Sequence, residues 1–313
     1  MTPRTALTAA LTAGAVGLLT AGTMSSAAAQ GDPVLGEGNV YFLSGAYNTN
    51  GQAQMIFQFG DPEDEVYFGD WYGSGVDLPM VRRGNVFFVP SEDDPSTTAS
   101  VFAYGDENDG VYIGDWDGDG VDGIAVRRGN VYFVKNDNRT TGTADRVFAY
   151  GDPDDYVLVG NWNGQRTAPS AGQPGKGDTL TVVRGNQFFV KNAITTGVAD
   201  YTFSFGDPDD YLLVGDWATV TTTADGSTHV DSGDGADQVA VVRGNQFHLS
   251  SEFEQARATG QNPGTQRVFA YGDPEDAVFV ASFPTAVDAD GRVIDDFDSA
   301  ARVIEGDGLG VRR

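Results

Sequence analysis

The sequence predicts an all-β protein, namely a five-bladed β-propeller of four-stranded blades. The first observation is internal repetition, because the motif Gly-Asn-(Val/Gln)-(Tyr/Phe) recurs at Gly38, Gly84, Gly129, Gly185 and Gly244. The second is strand content, because each repeat carries several short apolar runs rich in β-branched and aromatic residues. Four strands in a repeat of about 45 residues are typical of a propeller blade.

The second repeat shows the predicted strands most clearly. Its four apolar runs are 111–113, 123–126, 130–134 and 146–150. Gly, Asp, Asn and Pro bound each run and favour turns there. A single repeat cannot bury both faces of a small sheet, so neighbouring repeats must cover one another. An open β-solenoid is the competing arrangement, although its coils are usually shorter than this repeat.

Two further motifs mark every repeat. One is an acidic turn of the form Gly-Asp-(Pro/Glu)-x-Asp, which begins at Gly60, Gly105, Gly151, Gly206 and Gly272. The other is an aspartate six residues before an arginine, found as Asp77/Arg83, Asp122/Arg128, Asp178/Arg184, Asp237/Arg243 and Asp307/Arg313. We expect these arginines to pair with nearby aspartates in a structural role.

The first 29 residues have the pattern of a secretory signal peptide. Arg4 precedes an apolar run from about Ala6 to Met24, and Ala27-Ala28-Ala29 offers a cleavage site. A membrane anchor is the alternative, but the run is only weakly apolar. We therefore expect residues 30–313 to form a single propeller domain that is secreted, extracellular or loosely associated with the cell wall.

Composition restricts the partners and the chemistry. The formal net charge is −26 with only three lysines, so nucleic acid and anionic lipid would be repelled while cations would be attracted. The chain has no cysteine and two histidines, which removes disulfides, thiol nucleophiles and a His/Cys zinc site. We expect a monomer without membrane insertion whose partners are extracellular glycans or proteins.

One loop concentrates negative charge. Asp115, Asp117 and Asp119 occupy alternate positions, which suits oxygen coordination of a hard cation such as Ca²⁺, and Gly120 permits a sharp turn. Val121 would add its backbone carbonyl and Asp122 would complete the metal site. A solvated acidic turn is the alternative. The other copies of the loop keep fewer carboxylates, and the sequence leaves open whether they bind metal.

These motifs resemble a known family. Gly-Asp-Trp-Asp-Gly-Asp-Gly, Asp-x-x-x-Val-x-Arg, Asn-Val-Tyr-Phe-Val and Phe-Ala-Tyr-Gly-Asp-Pro are similar to the FG-GAP/VCBS-type repeats of secreted actinobacterial proteins and, more distantly, to the integrin α-chain propeller. The resemblance implies a calcium loop after the innermost strand of each blade. Those inner strands would end at Trp71, Trp116, Trp162, Trp217 and Phe283, and the amino- and carboxyl-terminal strands would share one blade.

The predicted function is that of a calcium-stabilised binding or scaffold module. Insertions at 164–177, 218–236 and 284–306 fall between equivalent strands, so they would share one face and could contact a ligand. An extracellular hydrolase that cleaves polysaccharide with acid and base carboxylates is the alternative, and a structural wall protein is a third possibility. No nucleophile motif is present and no carboxylate pair stands out, so we nominate no catalytic residue and favour a protein that is not an enzyme.

Overall fold

The structure is a computed structural model. It describes residues 39–44, 55–62, 64–163, 177–215, 219–222, 228–231, 236–250, 258–274, 277–282, 285–287, 302–304 and 307–312. The predicted signal peptide, residues 1–29, lies outside these ranges. Within them, no helix is both long enough and apolar enough to cross a bilayer.

The described strands form mainly four-stranded antiparallel sheets, and four of these sheets are each built from a single stretch of the chain. The first such sheet contains β3 (Glu65–Gly69), β4 (Leu78–Arg83), β5 (Val86–Pro90) and β6 (Thr98–Ala103). The second contains β7 (Gly110–Gly114), β8 (Gly123–Arg128), β9 (Val131–Lys135) and β10 (Arg146–Ala149). The third contains β11 (Tyr156–Gly160), β12 (Thr179–Arg184), β13 (Gln187–Lys191) and β14 (Tyr201–Ser204). The fourth contains β15 (Tyr211–Gly215), β18 (Gln238–Arg243), β19 (Gln246–Ser250) and β20 (Thr265–Ala270).

One further four-stranded sheet joins the two ends of the described chain. It contains β1 (Val40–Ser44), β2 (Met55–Gln58), β21 (Ala277–Ser282) and β24 (Asp307–Arg312). The strand order is β2-β1-β24-β21, and β1 pairs with β24 in the register Tyr41↔Arg312. The first and last described strands therefore lie side by side in one sheet.

The inner strands of the five sheets contact one another in turn. The contacts run from β3 to β7, β11, β15 and β21, and from β21 back to β3. This arrangement confirms the predicted all-β propeller fold. In the other four sheets the chain runs in order from the inner strand to the outer strand, and a two-residue turn joins the second strand to the third. Gly129, with φ 62°, lies in the turn between β8 and β9.

Two of the predicted insertions contain short hairpins. Within 218–236 the chain forms β16 (Thr219–Thr222) and β17 (Thr228–Asp231), and within 284–306 it forms β22 (Thr285–Val287) and β23 (Arg302–Ile304). Each hairpin is inserted between the inner strand and the second strand of its sheet. Residues 164–176, which make up nearly all of the remaining insertion, lie outside the described part of the chain.

The core lies between neighbouring sheets. For example, Trp116 and Tyr132 of the second repeat share a buried cluster with Val157 and Leu180 of the third. Trp71, Trp116 and Trp162 are 1%, 3% and 1% exposed, so they pack inside the protein rather than offering a surface to a sugar ring.

The inner strands end two residues before these tryptophans, at Gly69, Gly114 and Gly160, rather than at the tryptophans themselves. Trp217 and Phe283 lie outside the described residues.

Glycine ends the inner strands β3, β7 and β11, where the next sheet approaches too closely for a side chain. A Cβ atom on Gly114 would lie 2.8 Å from Asp178 Oδ2 and 2.9 Å from Val159 Cγ1, and Gly160 meets Asp237 and Val214 in the same way. Strand ends and neighbouring carboxylates therefore pack directly against one another.

The prediction that these arginines pair with nearby aspartates is confirmed in the described repeats, where the partners are the aspartates of the acidic turns. Arg128 donates from Nε to Asp109 Oδ1 and from Nη2 to Asp109 Oδ2, both at 2.7 Å, and its Nη2 lies 2.7 Å from Asp106 Oδ2. Arg83, Arg184 and Arg243 bind the acidic turns of their own repeats with the same geometry. These pairs fix the acidic turn to the end of the second strand, with the fork of the guanidinium matched to the carboxylate.

Candidate metal centre

The acidic loop of the second repeat joins the innermost strand, β7, to β8. Gly118 and Gly120 have φ angles of 76° and 88°, which side-chain-bearing residues rarely adopt. The turns at these two glycines fold the loop back on itself. Asp115, Asp117 and Asp119 are thereby brought to one side of the loop.

The loop is held by bonds from its own amides to its carboxylates. Asp115 Oδ1 accepts from the amides of Gly118 at 2.7 Å and Asp119 at 3.1 Å, while its Oδ2 accepts from Gly120 at 2.9 Å. Asp119 Oδ1 accepts from the Val121 amide at 2.8 Å. Three main-chain amides therefore orient Asp115 at the start of the loop.

The structure brings three of the predicted metal ligands together. One carboxylate oxygen from each of Asp115, Asp117 and Asp119 lies within 4.8 Å of the others. Burial and mutual repulsion raise the pKa of Asp117, and burial, opposed by the loop amides, raises the pKa of Asp115. A divalent cation would relieve this repulsion, so the donor set fits Ca²⁺ in charge and chemistry.

Asn136 is a neighbour of the site that the sequence analysis missed. Its side-chain Nδ2 donates to Asp117 Oδ2 at 2.6 Å, and its main-chain amide donates to Asp145 Oδ2 at 2.9 Å. The signal was available in the strand register, because Lys135 pairs with Ile124 and the next residue must lie beside the acidic loop. Asn136 holds the second carboxylate of the site in position.

Asp122 lies outside the group of three and makes a different contact. Its Oδ2 accepts from the main-chain amide of Asp70 at 2.7 Å, and its own amide donates to the Asp70 carbonyl at 2.9 Å. We call this paired contact the inter-sheet clasp, since Asp70 follows β3 of the neighbouring sheet. Burial, and then the nearby Asp77 carboxylate, raise the pKa of Asp122 well above its ordinary value.

The inter-sheet clasp recurs at the next two junctions. The Asp178 carboxylate accepts from the main-chain amide of Asp115 at 2.8 Å, and the main-chain amide of Asp178 donates to the Asp115 carbonyl at 2.7 Å. Asp237 does the same with Asn161, at 2.6 Å and 2.9 Å. The aspartate found six residues before an arginine therefore joins neighbouring sheets at Asp122, Asp178 and Asp237.

The other copies of the acidic loop differ in charge. In the first, Asp70 accepts from the amides of Ser74 at 3.0 Å and Gly75 at 2.7 Å, so the same fold forms around a single carboxylate. In the third, Asn161 replaces the first aspartate. In the fourth and fifth copies the acidic side chains other than that of Asp237 lie outside the described part of the chain.

Comparison with known proteins leaves the family open. No family model matches the chain, and no curated protein matches it. Two crystal structures of BBS1N in complex with ARL6DN, one soaked with lead and one with mercury, are 12% identical in the aligned region. The first has a TM-score of 0.35 and covers 73% of this chain and 73% of that chain; the second has a TM-score of 0.34 and covers 72% and 70%. At such low scores the fold assignment rests on the sheet topology of this chain.

Proposed function

We propose that the protein is a secreted, calcium-stabilised, five-bladed β-propeller that acts outside the cell as a binding or scaffold module for a carbohydrate or protein ligand. The observation that carries the proposal is the group of three carboxylates, within 4.8 Å of one another, on a loop between strands of a repeating scaffold. The resemblance of the repeat motifs to FG-GAP/VCBS-type sequences and the signal-like residues 1–29 support an extracellular location.

Five blades in a closed ring are supported by the cycle of contacts among the inner strands and by the pairing of β1 with β24. The inter-sheet clasps hold neighbouring blades at the end of the ring where the acidic loops lie. Closure leaves no large sheet edge exposed, which helps a protein without disulfides to avoid aggregation.

In this proposal calcium is bound by Asp115, Asp117 and Asp119, with the Val121 carbonyl as a further ligand. Asp122 acts on the site indirectly, because its clasp fixes the end of the loop. Bound calcium stabilises the folded state by mass action, by about 2.7 kcal/mol when the ion is present at about 100 times its Kd.

The proposed ligand surface is formed by the three insertions. The β16–β17 and β22–β23 hairpins both lie between the first and second strands of their sheets. Equivalent connections of a propeller project from the same end, and loops on a rigid scaffold commonly carry binding residues.

The calcium proposal is tested by thermal unfolding with calcium and with a chelator. We expect calcium to raise the unfolding midpoint of the parent by about 5 °C or more, given a gain of a few kcal/mol in a domain of this size. Asp117→Ala and Asp119→Ala should lose most of this response. Asp154→Ala, which removes an exposed carboxylate from an acidic turn, is the matched control and should keep it. Equal midpoints with calcium and chelator in the parent would exclude the metal site.

The binding role is tested separately on the full chain. Retention on a glycan array or on an extracellular protein extract without turnover would support a module. Release of reducing ends from polysaccharide, abolished by a single Asp→Asn substitution, would instead identify a hydrolase. A folded protein that retains no soluble ligand would leave the structural wall role.

A further inference from the structure

Arg139 lies against the first acidic loop, residues 70–77, although it belongs to the second sheet. It is part of the segment 136–145 that joins β9 to β10, which we call the outer loop of this sheet. Its Nη2 donates to the Trp71 carbonyl at 2.7 Å, and its Cζ lies 4.1 Å from the centroid of the Tyr72 ring. At this distance the guanidinium makes a cation–π contact with the ring. A positive charge is therefore fixed on the first acidic loop.

The neighbours of Arg139 hold the outer loop in place. Asn138 is 3% exposed, and its Nδ2 donates to the Asp122 carbonyl at 2.7 Å and to the Trp71 carbonyl at 3.3 Å. The main-chain amide of Arg139 donates to Asp137 Oδ1 at 2.7 Å. The arginine thus contacts the first sheet from a loop that is itself bonded to both sheets.

The first and second acidic loops share one backbone but differ in charge. Both have the same spacing, and both carry glycines with positive φ angles at their fourth and sixth positions. Tyr72 and Ser74 stand where the second loop has Asp117 and Asp119. The ring that Arg139 covers is therefore at the position of a proposed calcium ligand.

The second acidic loop has the opposite arrangement. The outer loop of the third sheet, residues 192–200, is equivalent to 136–145, because in each the first main-chain amide donates to the last carboxylate. It contains no lysine or arginine, and its Ile194 shares a buried apolar cluster with Trp116. The lysine that precedes the outer loop is common to both sheets. The acidic loop with three carboxylates thus lacks a cation from the neighbouring outer loop, whereas the loop with one carboxylate has Arg139.

We propose that Arg139 is the cation of the first acidic loop and does at that loop what calcium does at the second. The guanidinium repels a divalent ion, and the loop keeps only one of the three carboxylates that would overcome this repulsion. The junction between the first and second sheets is therefore stabilised without metal. The comparison with the second loop rests on the calcium site proposed above, but the contribution of Arg139 is measured in the absence of calcium.

Thermal unfolding in a chelator measures this contribution. We expect Arg139→Gln to lower the unfolding midpoint by about 2–4 °C, since a charge-assisted hydrogen bond and a cation–π contact are lost. Calcium should raise the midpoint of this variant by as much as it raises that of the parent. Arg146→Gln, which removes an exposed arginine from β10, is the matched control and should keep the midpoint of the parent in both conditions.

Calorimetric titration with calcium tests whether Arg139 keeps metal out of the first loop. The background is Asp117→Ala, which disables the second loop, and Tyr72→Asp with Ser74→Asp restores the carboxylates of the first. Further addition of Arg139→Gln should raise the calcium affinity of the first loop about tenfold or more, because a positive charge beside the ion is removed. All other loops are common to these variants, so the difference between them reports on the first loop.

Two results would overturn the proposal. One is an unchanged midpoint of Arg139→Gln in the chelator, and the other is equal calcium binding before and after Arg139→Gln in the protein with restored carboxylates. A parent that binds no calcium would refute the metal site but not the role of Arg139, which the chelator measurement decides. Unfolding midpoints of the variants with restored carboxylates, measured alongside, separate a change in binding from loss of the fold.

Discussion

Asp122 provides the sharpest test of how the sheets are joined. Its carboxylate accepts the Asp70 amide at 2.7 Å, while the main-chain bond back to the Asp70 carbonyl does not involve the side chain. Asp122→Ala removes the acceptor and leaves a part-buried amide without a partner, which costs about 1–3 kcal/mol. Asp122→Asn keeps a carbonyl oxygen in the same place, so the bond survives.

The two substitutions differ in the charge as well. At neutral pH the folded protein holds Asp122 close to Asp77 and Asp70, and burial and these neighbours raise its pKa well above the ordinary value. Removal of the charge therefore relieves an unfavourable interaction in both variants. We expect Asp122→Asn to be as stable as the parent or more stable, and Asp122→Ala to be less stable than Asp122→Asn by about 1–3 kcal/mol.

Urea denaturation at neutral pH in the presence of a chelator measures this difference. Because the metal is absent, a role of Asp122 as a calcium ligand cannot produce it. A loss of stability in Asp122→Asn relative to the parent would refute the charge argument, and equal stability of Asp122→Ala and Asp122→Asn would refute the inter-sheet clasp. Thermal unfolding with added calcium then tests whether Asp122→Asn keeps the rise in unfolding midpoint that Asp117→Ala is expected to lose.

Two further predictions concern packing and pH. Gly114→Ala should destabilise the protein by about 1–3 kcal/mol, because its Cβ would lie 2.8 Å from Asp178 Oδ2, whereas Gly142→Ala meets only the flexible Lys135 side chain at 3.4 Å and should be mild; thermal unfolding of both variants measures this. Without calcium, stability measured by urea denaturation should rise as the pH falls from neutral towards about 4, since the raised pKa values of Asp115, Asp117 and Asp122 make the folded state bind protons more readily than the unfolded state. Below that pH stability should fall, because the pKa values of Asp109 and Asp155 are lower in the folded state: burial raises them, but the bonds to Arg128 and Arg184 lower them by more. A steady decline in stability from neutral pH would contradict this reasoning.

The strands were predictable because their signals are local. Within the second repeat, the apolar runs 111–113 and 130–134 correspond to β7 (Gly110–Gly114) and β9 (Val131–Lys135). Alternation of buried and partly exposed residues and the Gly-Asn turn suffice to define such hairpins. The grouping of Asp115, Asp117 and Asp119 was equally accessible, since all three lie on one turn of the chain.

The role of Asp122 was not accessible in the same way. It lies next to the acidic loop in sequence, so adjacency favoured a metal ligand, but its carboxylate contacts an amide that is 52 residues away. The repeats contained the missing signal. Asp178 and Asp237 occupy the same position in copies whose loops begin with Asn161 or carry an insertion, so this aspartate is kept where the acidic loop itself changes.

Asp115 takes part in both the acidic loop and an inter-sheet clasp. Its side chain orients the acidic loop through three amides, while its main-chain amide and carbonyl form the inter-sheet clasp with Asp178. A cation held by Asp115 therefore restrains the junction between the second and third sheets as well as its own loop. The first and third copies keep their clasps through Asp70 and Asn161 despite their lower charge. The clasps between neighbouring sheets thus form without the full set of acidic-loop carboxylates, and under our proposal a single calcium ion would restrain the junction between the second and third sheets.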